Sequence, residues 1–194
     1  MPNWCYSSYA IEGKKKELQS LHSKMKRLEN RKKSLVENGF GKTWLGNLVT
    51  RLGGNWQEVY CRGSWSDLDY NSEILRFNTE TAWGPMDQVF KFIKKQYPSL
   101  HIYWQAEEDG NCVYATNDVE CRYFKDRYKV EANCEIDFFS TLDGLCNHIS
   151  AFVGREVKTM DEVNNAIETW NNGTEDYDAM IYLNEFVVEA DELL

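Results

Sequence analysis

The sequence predicts an α+β fold: an antiparallel sheet with two helices on one face, followed by a mostly helical extension. Three observations predict it. Segments rich in aromatic and β-branched residues interleave with segments of helical apolar spacing, in the order strand, helix, strand, strand, helix, strand. Two amphipathic stretches, residues 14–37 and 86–96, each carry one apolar stripe, and two such helices suffice to cover one sheet face. After about residue 135 the apolar residues take helical spacing and acidic residues dominate.

Taken in order, residues 4–12 read as an aromatic-rich strand ending at Gly13. The helix over 14–37 places Leu18, Leu21, Met25, Leu28 and Leu35 on one stripe, with Lys32 in the missing slot, and Asn38-Gly39 at its end. The stripe repeats every seven residues. It suits a helix lying across a sheet, or a dimer seam with a second helix, for which only about three heptads are present. Residues 39–57 are Gly-rich and read as an insertion with a short apolar turn at Trp44-Leu45-Leu48-Val49-Leu52. Strands come next at 58–65 and 74–82. The helix over 86–96 has Met86, Val89, Phe90, Ile93 and Tyr97 on one face, between Pro85 and Pro98. Residues 100–107 and 111–116 form a hairpin in which Asp109-Gly110 supplies positive-φ turn residues. Further strand is expected at 122–124 and 128–130. Phe138, Phe139, Leu142, Leu145, Cys146, Ile149, Phe152 and Val153 make one helical face, and Thr159-Met160-Asp161-Glu162 is a capping box opening another helix. Residues 180–189 admit strand or helix, with strand favoured by their Ile-Tyr-Leu and Phe-Val-Val content.

That order is the order of a ferredoxin-like sandwich. Residues 1–135 are therefore expected to form a ferredoxin-like core with an insertion at 39–57. Residues 136–194 are expected to be an acidic helical extension packed on it as one compact unit.

Certain residues also resemble a known family. The opening Met1-Pro2-Asn3-Trp4-Cys5 resembles the start of the YubB-type ferredoxin-like proteins, small bacterial proteins associated with plasmids and phages. Arg62-Gly63-Ser64-Trp65-Ser66-Asp67 is similar to that family's glycine-then-Trp-Asp segment, with one extra residue between Trp65 and Asp67. Thr81-Ala82-Trp83-Gly84-Pro85, then a helix, Tyr97-Pro98 and a strand ending at Glu108-Asp109-Gly110, are similar to its Trp-to-Pro helix start and hairpin. The resemblance spans about residues 1–118. It implies the ferredoxin-like fold and a mobile-element origin, and it is silent on activity.

Composition narrows the function classes. The chain has 194 residues, 42% hydrophobic and 14% aromatic, with 7 Trp and 3 Pro, which excludes collagenous and disordered classes. No window approaches the ~20 apolar residues of a membrane span, and no secretory signal is read at the N-terminus. Six scattered cysteines then suggest reduced, mostly buried thiols in the cytoplasm, and Asn172-Gly173-Thr174 is read as a turn rather than a glycosylation site.

Net charge is −9 and unevenly spread. Residues 1–52 carry 11 basic and 4 acidic side chains, 53–134 carry 9 and 13, and 135–194 carry 2 and 14. A chain so polarised can pair its own halves or present unlike faces to partners.

Several chemistries lose their footing. Gly41-Lys42-Thr43 lacks the upstream glycine of a phosphate loop, since Val36 stands there, and a helix precedes it instead of a strand. The three histidines are far apart and no cysteine pair has two-residue spacing, so no metal or cofactor is expected. Cys112 and Cys121 read as two core thiols. Base stacking would need Tyr6, Tyr60, Trp65, Tyr103 and Tyr114 on an open sheet face, and the overall charge opposes it.

The expected function is a non-enzymatic cytoplasmic binding or adaptor protein engaging a protein partner. Its candidate binding residues are Trp4, Trp65, Asp67, Trp83 and Asp109, gathered at one sheet edge. One alternative is a small-ligand or enzymatic site at that Trp-lined edge. Another is nucleic-acid binding, or mimicry of a nucleic acid by the acidic segment.

Overall fold

Alternating burial shapes the first sheet, with the small Ala10 of its first strand buried between two core residues. In β1 (Trp4–Glu12) Cys5, Ser7, Tyr9 and Ile11 are buried while Tyr6 and Ser8 are exposed, the two-residue period of a strand with one covered side. The chain continues through α1 (Lys15–Glu29), α2 (Leu45–Arg51), β2 (Gly63–Tyr70), β3 (Leu75–Ala82), α3 (Asp87–Gln96), β4 (His101–Glu108) and β5 (Val113–Thr116). Then come β6 (Tyr128–Ala132), β7 (Glu135–Phe139), α4 (Leu142–Val153), α5 (Met160–Gly173), a short 3-10 turn, β8 (Tyr182–Glu185) and β9 (Val187–Val188). The computed structural model describes residues 2–189. The fold is α+β, with a six-stranded sheet in the order β2-β3-β1-β4-β5-β9 and a three-stranded sheet in the order β7-β6-β8. No helix among the described residues is long and apolar enough to cross a membrane.

The described residues divide into two compact units, one holding Pro2–Val119 together with Val188 and Glu189, the other Glu120–Val187. In the first unit β1 pairs antiparallel with β3 and β4, placing Tyr9 opposite Phe77 and Trp104. The Tyr9 ring stacks on Phe77 at 5.1 Å and on Phe90 of α3 at 4.1 Å, tying sheet to helix. Leu18, Leu21, Met25 and Leu28 of α1 join the same core. The heptad stripe is therefore spent inside its own unit and is no dimer seam.

The expected helix over 14–37 stops at Glu29. Arg31, Lys32 and Lys33 are exposed and interrupt the stripe, and polar side chains organise residues 34–47. Asn47 is fully buried; its amide donates to Ser34 Oγ at 2.7 Å and to the carbonyls of Gly41 and Lys42 at 3.0 and 3.1 Å, and its oxygen accepts from Val36 N at 2.9 Å. Residues 39–57 are accordingly no excursion. Trp44, Leu45, Leu48 and Val49 belong to the main core, and the apolar turn is the helix α2.

Other boundaries move for equally local reasons. The strand expected from 58 begins at Gly63, because Tyr60 N–H donates to Gln88 Oε1 (2.8 Å) instead of to a neighbouring strand. Glu108 pairs with Val113, so the hairpin loop is the four residues 109–112 and the positive-φ residue is Cys112 (φ 53), not Asp109 or Gly110. The buried Glu108 carboxylate fixes that loop by accepting from Gly110 N (2.7 Å) and Asn111 N (2.9 Å). At Gly110 a Cβ would lie 2.3 Å from Asn3 Nδ2, so a larger residue there would displace the Asn3 side chain.

The second unit carries its own core of Val130, Leu145, Ile149, Val163 and Ile181. It differs from the helical extension expected. The boundary falls at 119/120, and Phe138 and Phe139 lie on β7 rather than on a helix. Asn133 (φ 51) and Cys134 (φ 63) make the two-residue turn joining β6 to β7, a turn that only positive φ allows. No strand forms at 122–124, where the Arg127 guanidinium donates to Phe124 O and Asp126 O. The cap at Thr159 forms, its Oγ1 accepting from Glu162 N (3.2 Å), while the Glu162 carboxylate reaches Lys158 N (2.7 Å), one residue before the one expected. The glycosylation-like Asn172 and Gly173 continue α5 instead of making a turn. Residues 180–189 hold β8 and β9, both strands.

Candidate functional site

One groove of the first unit gathers aromatic side chains from a stretch with little regular structure. It has a volume of 570 Å³ and is lined by Phe40, Trp44, Trp56, Tyr60, Arg62 and Gln88, with Cys61 beneath. Trp44 stands at the N-cap of α2, and its Nε1–H donates to Cys61 O at 2.8 Å. The bare α-carbon of Gly46 makes room for that indole, since a Cβ there would lie 2.4 Å from its ring. Trp56 packs edge-on against Trp44 at 5.1 Å and 67°, the arrangement preferred by ring quadrupoles. Cys61 S–H donates to Trp56 O at 3.7 Å. Tyr60 is 46% exposed and held to α3 through Gln88. Arg62 is exposed, and its carbonyl accepts from Ala82 N at 3.0 Å.

Burial pushes the Cys61 thiol up to about 11, so it is a protonated, poorly nucleophilic group at neutral pH. The Glu58 carboxylate is exposed on the rim and accepts from Asn55 Nδ2 at 2.9 Å. Among the described residues no three His, Cys, Asp or Glu side chains converge as metal ligands.

The five residues expected to line an edge divide. Trp4 and Trp83 lie at one end of the sheet: Trp4 pairs with Ala82, and Trp83 N–H donates to Asn3 O at 2.9 Å. Trp4 meets Phe40 edge-on at 6.3 Å, which joins it to the groove wall. Trp83 is 48% exposed and holds φ 72, a conformation in which a bulky residue is a true outlier. Asp109 lies in the loop after β4, at the same sheet end, where it accepts a hydrogen bond from Tyr114 O–H. Trp65 is fully buried, its Nε1–H donating to Glu29 Oε1 at 3.2 Å, so it is a core residue. Asp67 sits at a bulge of β2 with φ 53. Its carboxylate accepts from Ser66 Oγ (2.8 Å) and Asn78 Nδ2 (3.1 Å), and these two bonds hold it below its usual pKa range. That polar row is apart from the groove.

The tyrosines do not make a stacking platform. Tyr6 is exposed, Tyr103 half-buried and Tyr114 buried, while Tyr60 precedes the sheet and Trp65 is in the core. Cysteines also differ from expectation. All six are free, but Cys112 and Cys134 are exposed and Cys121 is half-buried. Cys112 and Cys121 are thus no core pair, because both occupy positive-φ turn positions outside the apolar clusters.

Sequence reading missed Phe40, Trp44, Trp56, Arg62 and Gln88 as site residues. Phe40, Trp44 and Trp56 were visible as three large aromatics in a Gly-rich segment, and all three pack on or against the main core. Comparison with protein-family models, with curated proteins and with solved structures finds no match for this chain.

Proposed function

We propose that the protein is a non-enzymatic binding module whose aromatic groove takes an extended, proline-containing segment of a protein partner, with an acidic residue beside the proline. The carrying observation is the Trp44–Trp56 edge-to-face pair flanked by exposed Tyr60 and Arg62. Aromatic-lined grooves favour proline because its ring fits between planar side chains and its extended backbone is already ordered. Arg62 supplies the fork that a carboxylate accepts. Catalysis is the weaker reading, since the groove's thiol is held protonated and its carboxylate is solvated.

The ferredoxin-like reading of the first unit, and with it kinship to the YubB-type family, belongs to this proposal. The strand order β2-β3-β1-β4 with its antiparallel pairings supports it. Six free thiols, two of them exposed, support a cytoplasmic setting.

Panning a random-peptide display library on the whole protein tests the function. Enrichment of proline-containing acidic peptides is expected, with binding weakened about tenfold or more by Tyr60→Ala and by Arg62→Glu. Peptides that bind both variants as tightly as the parent, or no enrichment at all, refute it.

A further inference from the structure

The strongest unexplained feature is a set of opposite charges left unpaired on separate units. On α1 and just before and after it, Lys14, Lys15, Lys16, Arg27, Lys32 and Lys33 are all exposed. Among the described residues none of their side chains has an ion-pair or hydrogen-bond partner; in this stretch only Lys26, to Glu29 at 2.8 Å, makes an ion pair. In the second unit Glu135, Asp161, Glu168 and Glu175 are exposed and equally unpartnered among the described residues. Among the described residues these basic side chains stay without carboxylate partners, although the chain's net charge is −9.

We propose that the basic surface of α1 in one copy docks against the acidic surface of α5 in a second copy, giving a salt-sensitive head-to-tail assembly. The two helices match in length, 15 and 14 residues, or about 22 and 21 Å. Their ends also match in sign. Lys26 and Arg27 occupy the last turn of α1, and Asp161 and Glu162 the first turn of α5. Each pair complements its own helix dipole and faces the other's charge. A nucleic acid is the poorer occupant: a polyanion extending past α1 meets a protein that is negative overall. The contact is heterologous, so the same two surfaces remain open at the ends of a growing chain.

Sedimentation velocity of the full-length protein tests this, with far-UV circular dichroism confirming that each variant folds. The parent's sedimentation coefficient should rise with concentration at about 20 mM salt and fall to the monomer value at about 500 mM. Lys15→Glu/Lys16→Glu/Arg27→Glu should be monomeric at low salt, as should Asp161→Lys/Glu168→Lys/Glu175→Lys. Mixing the two variants should restore association, because one then presents only acidic and the other only basic surfaces at the contact. A parent that stays monomeric at low salt overturns the proposal. So does association indifferent to salt, a mixture that fails to associate, or association that appears only when nucleic acid is added.

Discussion

Asn47 carries no charge and does not line the groove, yet it decides the shape of residues 34–47. Its amide binds two carbonyls and a hydroxyl while its oxygen takes the Val36 N–H. Asn47→Leu keeps the volume and strands those partners, and should destabilise the protein by about 2 kcal/mol (range about 1–3) in urea denaturation. Cys61 makes a pH prediction. Burial raises its thiol from 9.0 to about 11, so the folded chain holds that proton where the unfolded chain releases it. Stability is whole below pH 9 and declines as pH rises toward 11. Cys61→Ala should show a shallower decline over that window. None of this was legible residue by residue: Asn47 reads as an ordinary polar residue, and only the structure shows four groups converging on it. Trp83 and Asp67 were noticed as residue types, but their positive φ values depend on a turn and a bulge that no local pattern announces.

At the scale of elements the sequence was informative wherever the apolar period was uninterrupted. β1, α3 and β4 lie within a residue or so of their expected spans, because each alternates or repeats cleanly and ends at Gly13, a proline or a turn. It failed where two periods overlapped. Leu35 continues the α1 heptad by number, but three successive basic residues intervene and the helix ends at Glu29. Limited trypsin digestion checks this directly: the first cuts should fall at Arg31, Lys32 and Lys33, where a helix running to residue 37 would resist. Leu21, wholly buried on α1, should cost about 2–5 kcal/mol when replaced by Ala, and less if the stripe were an unoccupied seam. Phe138 and Phe139 illustrate the opposite confusion. They extend a helical apolar pattern backwards, but Asn133-Cys134 turns the chain first and puts them on β7.

For the whole molecule, two apolar clusters sit in two units, each drawn from its own segment of chain. The charge split read from the sequence tracks the same division in kind, basic near the N-terminus and acidic in the second unit. The residues lining the groove all belong to the first unit, so its occupancy should register at their indoles. Indole ¹H–¹⁵N NMR of the seven tryptophans reads this out with an acidic proline-containing peptide from the display selection as titrant. The Trp44 and Trp56 signals should move, that of the buried core residue Trp104 should stay, and Tyr60→Ala should weaken the titration about tenfold or more. Shifts centred on Trp170, or shifts at Trp44 and Trp56 that survive Tyr60→Ala unchanged, would contradict a peptide-binding groove.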